Sequence, residues 1–198
     1  IQPMVSSDGN TVITFNGEIY NFPKLKIDLL SQGYEFKSNT DTEVILNLYD
    51  KYGLECFKML DGIFALAIFD INEDSLFLAR DCLGVKPLYY YNDDSKFIFG
   101  SEIKALTYLL DGQNLSLDEQ SINRYLTFQW CPGEVTPFKE IKKQNSGEIL
   151  VVKHGKIVKS VVFKRLPMSY QLKKESNNSV GQVIAGLDKN LRKAVHDQ

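Results

Sequence analysis

The run Ile63-Phe64-Ala65-Leu66-Ala67-Ile68-Phe69 constrains the fold more than any other stretch of the chain. It reads as a strand that is apolar at odd and even positions alike, so a layer must cover each of its faces. Residues 76–79, 88–91 and 97–99 read as further short strands. Turn clusters separate them, among them Asp70-Ile71-Asn72-Glu73-Asp74 and Asn92-Asp93-Asp94-Ser95.

Ahead of this region residues 11–15 form a strand and residues 23–32 a helix. In that helix Leu25, Leu29 and Leu30 face inward, with Asn21 as a cap, Pro23 in the first turn and Gly33 as the stop. Thr40-Asp41-Thr42-Glu43 reads as a capping box. The helix it opens has Val44, Ile45, Leu48, Tyr49 and Tyr52 on its apolar face, ends at Gly53, and is followed by a short helical turn over 54–60. Helices outside and strands in the middle, with little βαβ alternation, predict an α+β fold: two stacked antiparallel sheets sandwiched by helices.

Further on, Ser116-Leu117-Asp118-Glu119 reads as another capping box, before a helix running to about Leu126. Residues 148–154 and 156–163 form a hairpin around Gly155. The polar stretch 164–178 reads as a linker. Ser179 to Gln182 caps a last helix with Val180, Ile184, Leu187, Leu191 and Val195 on one stripe, which implies a partner surface. The expected organisation is one domain over 1–163, the linker, and a helix over 179–198.

With 198 residues, 43% hydrophobic and 24% charged, the chain has room for one sizeable globular domain, or a domain with an appendage. A net charge of -2 gives no electrostatic case for nucleic acid or an anionic membrane as a partner. No bilayer-length apolar run or signal peptide is visible. Cys56, Cys82 and Cys131 are odd in number and lack metal-type spacing, so they read as reduced thiols of a cytoplasmic protein, with no metal site expected. The opening Ile1-Gln2-Pro3-Met4 has no initiator methionine, and the chain is expected to be cut rather than begun there.

The chemistry is polar and acidic. His154, beside a turn glycine, and His196, in the last helix, read as solvated, so no Ser-His or Cys-His dyad can be built. The P-loop, the Rossmann glycine fingerprint and zinc spacings are absent. Phe15-Asn16-Gly17-Glu18-Ile19-Tyr20-Asn21 places an amide, a bare backbone N–H and a carboxylate side by side. Asn-Gly after a strand is a hairpin-turn signal. The helix that follows favours strand, short polar loop, helix instead. Asn16 and Gly17 can then offer two N–H donors to an oxyanion, each worth about 3 kcal/mol in the transition state. Glu18 and Asp41 can bind an ammonium group, although Asp41 equally suits the first-turn end of a helix dipole and Glu18 an exposed surface. Arg80 to Tyr90 reads as a strand-joining loop, and Ser101-Glu102 as an ordinary helix start.

In this order, these stretches resemble the glutamine amidotransferase domain of glutamine-hydrolysing asparagine synthetases, in the N-terminal-nucleophile group. The landmarks are Gln2-Pro3-Met4, Phe15 to Asn21, Thr40 to Leu46, Asp61-Gly62-Ile63-Phe64-Ala65, the Arg80 to Tyr90 loop and Ser101 to Leu106. Tyr125-Leu126, Thr136-Pro137-Phe138 and Gly147 with its strand look more specific to asparagine synthetases. The resemblance covers most of residues 1–163. It implies a four-layer α-β-β-α fold and hydrolysis of the L-glutamine side-chain amide by an N-terminal cysteine whose own α-amine is the base. An α-amine, with an ordinary pKa of about 8, can act so near neutral pH. It implies Asn16 and Gly17 as the oxyanion hole and Glu18 and Asp41 as holders of the glutamine α-ammonium.

By the same resemblance the ammonia passes to an ATP-pyrophosphatase (synthetase) domain that uses ATP and Mg to amidate aspartate, the Arg80 loop facing that domain. The glutaminase part needs no cofactor, and a homodimer is compatible. The family's nucleophilic cysteine and its carboxylate-clamping arginine precede the Gln-Pro-Met landmark, and the helix over 179–198 would be the first one leading into a synthetase domain absent from these residues. This N-terminally truncated, partial domain is therefore expected to be inactive alone. It should take no label from an electrophilic glutamine analogue. Cys56, Cys82 and Cys131 read as packing or loop sulfur. The alternatives are a non-catalytic binding module, or an amidotransferase feeding another acceptor such as a sugar acid. Loss of opening strands is expected to leave an exposed sheet edge that invites association.

Overall fold

The computed structural model describes residues 2–110, 114–166 and 179–196. It falls into two units, Ile1–Arg165 and Leu166–Gln198. The first contains β1 (Met4–Val5), β2 (Thr11–Ile19), α1 (Phe22–Leu30), α2 (Asp41–Tyr52), a 3-10 helix (Gly53–Met59), β3 (Gly62–Asp70) and β4 (Ser75–Arg80). It continues with β5 (Tyr89–Asn92), β6 (Phe97–Gly100), α3 (Ile103–Leu109), α4 (Glu119–Phe128), β7 (Ile141–Lys143), β8 (Glu148–Lys153) and β9 (Lys156–Val162). The second unit is described only as Leu166 and Ser179 with helix α5 (Val180–His196).

Two antiparallel sheets carry the fold. One has six strands in the order β1-β2-β3-β4-β8-β9, the other three in the order β6-β5-β7. The doubly apolar run is β3, at the centre of the larger sheet, and both its faces are covered. Phe64, Leu66 and Ile68 join Ile13, Phe15, Phe77 and Ile149 in a core closed by Leu25 and Leu29 of α1 and Val44, Ile45 and Leu48 of α2. Ala65 and Ala67 point the other way, with Leu78, Leu150 and Val152, against Leu88 and Tyr90.

Full burial of Phe64, Leu66 and Ile68 contributes about 1.5–3 kcal/mol each, more than two alanine methyls can, so the helix-covered face dominates the stability. On the outer side of the small sheet, Leu106 of α3 packs with Leu110, Tyr91 and Ile141. The layers are therefore helix, sheet, sheet, helix. The α+β sandwich read from the sequence is the observed one.

Local chemistry differs from the sequence reading at several ends. Leu30 and Tyr52 are exposed, while Leu46 is buried and completes the α2 core face. Asn21 does not cap α1. Its amide donates to Met59 O at 2.9 Å and accepts from Asp61 N at 3.0 Å, tying the helix start to the end of the 3-10 helix. Thr40 Oγ1 accepts from Glu43 N, but the Glu43 carboxylate takes the Lys37 and Ser38 N–H groups at 2.7 Å each, so only half of the box forms.

At α4 the cap is Asp118 rather than Ser116, accepting from Gln120 N and Ser121 Oγ. The hairpin at His154-Gly155 forms as read, both residues at positive φ (50° and 72°), as a primed turn requires. Ser179 and Gln182 exchange hydrogen bonds of 3.3 and 2.9 Å, a reciprocal capping box opening α5. Most of the linker, residues 167–178, lies outside the described residues.

The outer edge of β2 is partly dressed. Met4 and Val5 pair with Ile13 and Val12. Next along, the Gln2 side chain acts as a substitute strand: its Nε2 donates to Phe15 O at 2.8 Å and its Oε1 accepts from Phe15 N at 2.6 Å.

Candidate active site

Asn16, Gly17 and Glu18 lie in neither a turn nor a loop. Strand β2 runs on through them to Ile19, in register with Ala65, Phe64 and Ile63 of β3. Glycine makes this register fit. A Cβ on Gly17 would sit 2.2 Å from Ile63 O, and one on Gly62 would sit 2.1 Å from Glu18 O. The two glycines let β2 and β3 approach more closely than side chains permit, so pairing continues where a turn signal stands.

Strand alternation then aims the donors. The N–H groups of Phe15 and Ile19 point away from β3, because they are taken by Gln2 Oε1 and by Asp41 Oδ2 at 3.1 Å. Gly17, midway between them, has the same orientation. Its N–H faces the outer edge of the sheet, with no partner among the described residues.

Asn16 and Glu18 project from the face opposite to Phe15 and Ile19. Asn16 Nδ2 lies 3.4 Å from Ser101 Oγ, which is where the Ser101 side chain goes in place of capping α3. Asn16 and Ser101 also line a cavity of about 230 Å³ between the sheets, together with Gln2, Leu88 and Phe99. Glu18 is exposed, and its carboxylate has no partner among the described residues.

Asp41 opens α2. One oxygen accepts from Thr42 N at 2.8 Å and the other from Ile19 N, so its carboxylate sits one residue from Glu18 along β2. Asn16, Gly17 and Glu18 thus follow one another on β2, and Asp41, from α2, meets that strand at Ile19. The sequence reading missed Gln2 and Ser101 as neighbours of Asn16. Gln2 was visible only as part of a landmark, and Ser101 only as a cap.

Behind the edge stands a buried polar hub. Arg80 donates to the carbonyls of Lys86, Gln144 and Gly84 at 2.7, 2.8 and 2.5 Å. Burial holds its pKa below the usual arginine range, the Asp81 charge partly opposing this. Asp81, 2% exposed, accepts from Phe64 N at 3.1 Å, Leu83 N at 2.9 Å and Val85 N at 3.1 Å. It therefore fastens the 81–88 loop to Phe64, the residue facing Gly17.

Cys56 is buried in the helix-covered core, where desolvation pushes its thiol up. Cys131 lines a separate cavity beside the Arg80 loop, and Cys82 belongs to that loop. None of the three stands at Asn16. His154 is 82% exposed beside Asp74, and His196 belongs to the other unit, in the last turn of α5. Among the described residues, no group of three His, Cys, Asp or Glu side chains is placed to hold a metal ion, and no helix is long and apolar enough to cross a membrane.

Residues 1–163 match the protein family described as "Glutamine amidotransferase domain". The chain belongs to that family. Among relatives, it is 35% identical over 164 residues to "Asparagine synthetase [glutamine-hydrolyzing] 1" of Bacillus subtilis (strain 168), covering 82% of this chain and 26% of that protein. It is also 35% identical over 203 residues to "Putative asparagine synthetase [glutamine-hydrolyzing] 1" of Methanocaldococcus jannaschii, covering 96% of this chain and 34% of that one. The chain thus spans 26% and 34% of the length of these curated relatives. A solved structure of the glutamine phosphoribosylpyrophosphate amidotransferase of B. subtilis shares the fold, with a TM-score of 0.57 at 22% identity over 83% of this chain and 32% of that chain. This is an amidotransferase domain of the kind found in asparagine synthetase-like proteins, on the N-terminal-nucleophile amidotransferase fold.

Proposed function

We propose that Asn16 Nδ2 and Gly17 N–H form the oxyanion hole of a glutaminase site, and that Glu18 and Asp41 hold the α-ammonium of L-glutamine. The observation that carries this reading is the outward N–H of Gly17, flanked on one side by Phe15 bound to Gln2 and on the other by Ile19 bound to Asp41. Attack on a side-chain amide builds negative charge on the carbonyl oxygen. A rigid backbone donor beside an amide donor stabilises that charge without reorganising. Glu18 of β2, and Asp41 held at the N–H of the neighbouring Ile19, supply the opposite charge that an ammonium needs.

The nucleophile in this reading is the family's N-terminal cysteine, since Cys56, Cys82 and Cys131 all stand elsewhere. The ammonia released is consumed by an ATP- and Mg-dependent synthetase portion that amidates aspartate; the names of the relatives, glutamine-hydrolysing asparagine synthetases, support the link between glutamine hydrolysis and asparagine formation. ATP and Mg belong, in this reading, to that portion. The reaction belongs in the cytoplasm, where ATP and glutamine are supplied.

The test is a glutaminase assay of the full-length protein carrying Asn16→Ala. The expected result is a kcat reduced by about 100- to 1,000-fold with KM little changed, the signature of a donor used mainly in the transition state. Asp41→Asn should instead raise KM. Unchanged kcat in Asn16→Ala overturns the assignment.

A further inference from the structure

A cavity of about 530 Å³ lies between the Arg80 loop, β7 and the 129–137 segment. Its size suits a small molecule. It shares no lining residue with the cavity beside Asn16. Its charge is one-sided. Arg80 and Lys143 line it, and no aspartate or glutamate does among the described residues; Glu134, between two lining positions, is exposed.

Both cations have donors to spare. Arg80 places one N–H from each of its three nitrogens on a carbonyl, leaving two of its five. Lys143 Nζ donates to Cys131 O at 2.5 Å, leaving two of its three. Burial, and then the neighbouring Arg80 charge, pull the Lys143 ammonium below the ordinary lysine range. Arg80 already has the Asp81 charge beside it, whereas Lys143 is paired with no carboxylate among the described residues, so the unmatched charge on this wall is that of Lys143, which an anion would neutralise.

The rim is aromatic, Trp130 and Tyr125 each being more than half exposed. Trp130 lies under Lys143, with Nζ 5.2 Å from the ring centre, and Tyr89 and Tyr125 line the same space. We propose that this cavity binds a small planar organic anion, an aromatic carboxylate, its charge on Lys143 and Arg80 and its ring against Trp130 and Tyr125. The ring supplies apolar contact in a site where a cation already sits over an aromatic face, and the carboxylate accepts the unused N–H groups. The assignment does not depend on the glutaminase reading.

Trp130 is the only tryptophan among these 198 residues, so the tryptophan fluorescence of this chain comes from the Lys143 side of the cavity. The experiment titrates the protein with benzoate, with benzamide as the uncharged body of the same shape and inorganic phosphate as charge without a ring. Saturable quenching is expected with benzoate at least tenfold tighter than with either control. Lys143→Met should weaken benzoate about tenfold, because a charge-assisted hydrogen bond is worth about 1.5–3 kcal/mol and tenfold in affinity is about 1.4 kcal/mol. Lys143→Arg, which keeps the charge, should restore binding to within threefold, and its circular dichroism checks the fold. Benzamide or phosphate matching benzoate, no saturation, or Lys143→Met binding as the wild type does, overturns the proposal.

Discussion

Replacing Gly17 by alanine tests the close approach that turns an Asn-Gly turn signal into a strand. The added Cβ would stand 2.2 Å from Ile63 O, 2.7 Å from Phe64 Cα and 2.9 Å from Phe64 Cβ. Two of these atoms are main chain, so a rotamer change cannot relieve the overlap. Reaching ordinary contact requires β2 to open from β3 by about 1 Å. Overpacking of a core costs about 1–3 kcal/mol, and backbone neighbours put this case at the upper end, roughly 3 kcal/mol. The lost flexibility of glycine in the unfolded chain returns only about 0.4–1 kcal/mol, too little to change the sign. At about 2–4 °C per kcal/mol for a chain of this size, Tm should fall by roughly 6–12 °C.

The assay is urea and thermal unfolding followed by circular dichroism. It has an internal check. A Cβ at Gly62 would meet Glu18 O at 2.1 Å across the same strand boundary, so one opening movement relieves both clashes. The double variant Gly17→Ala/Gly62→Ala should therefore be less destabilised than the sum of the singles, by about 1 kcal/mol or more. A single-variant cost under about 1 kcal/mol, or strict additivity, would refute the argument. On the oxyanion-hole assignment proposed above, the same 1 Å displacement should cost about 100-fold in glutaminase rate.

Asp81→Asn leaves one oxygen where two served the N–H groups of Phe64, Leu83 and Val85. Chemical unfolding should show a loss of about 2–4 kcal/mol, and an unchanged midpoint would contradict the hub. Stability should decline in alkali. Burial, then the hydrogen bond to Asp70, raises the Tyr49 phenol, and burial pushes Tyr90 up to about 12. The unfolded chain releases these protons from about pH 10 while the folded one retains them, so stability is full below about pH 10 and lost above it. Tyr90→Phe should flatten the fall in urea midpoint between about pH 10 and 12, and an unaltered slope excludes that cause. Ellman's reagent should titrate Cys82 and Cys131 in the native protein and Cys56 only on unfolding, since Cys56 is fully buried with its thiol pushed up; rapid labelling of all three would contradict the burial.

Periodicity and apolar runs made the layers legible. Ile63 to Phe69 demanded two covers, and the fold supplies a helical layer on one side and a second sheet on the other. Local chemistry was less legible, because several side chains answer to distant partners. Asn21 bonds to Met59 and Asp61 rather than capping its own helix, and Ser101 turns to Asn16 across 85 positions. Neither partner is written near the residue. The Asn16-Gly17 pair was misread as the end of a strand for the same reason: only the complementary glycine at 62 shows that a partner strand fits there. Leu30 and Tyr52 looked apolar enough to face inward, yet both lie off the arcs of their helices that the sheet covers.

The outer edge of β2 also shows how a sheet can keep one main-chain amide available without inviting a foreign strand. A zippering neighbour needs several successive outward groups. Here a glutamine amide occupies the group at Phe15, and an aspartate the one at Ile19. Among the described residues the opening left is one residue wide, narrower than the exposed edge expected from the sequence and wide enough for a single oxygen atom. Selectivity of access at this edge is thus set by spacing along the backbone, and it should survive any change of the exposed side chains that leaves Gln2 and Asp41 in place.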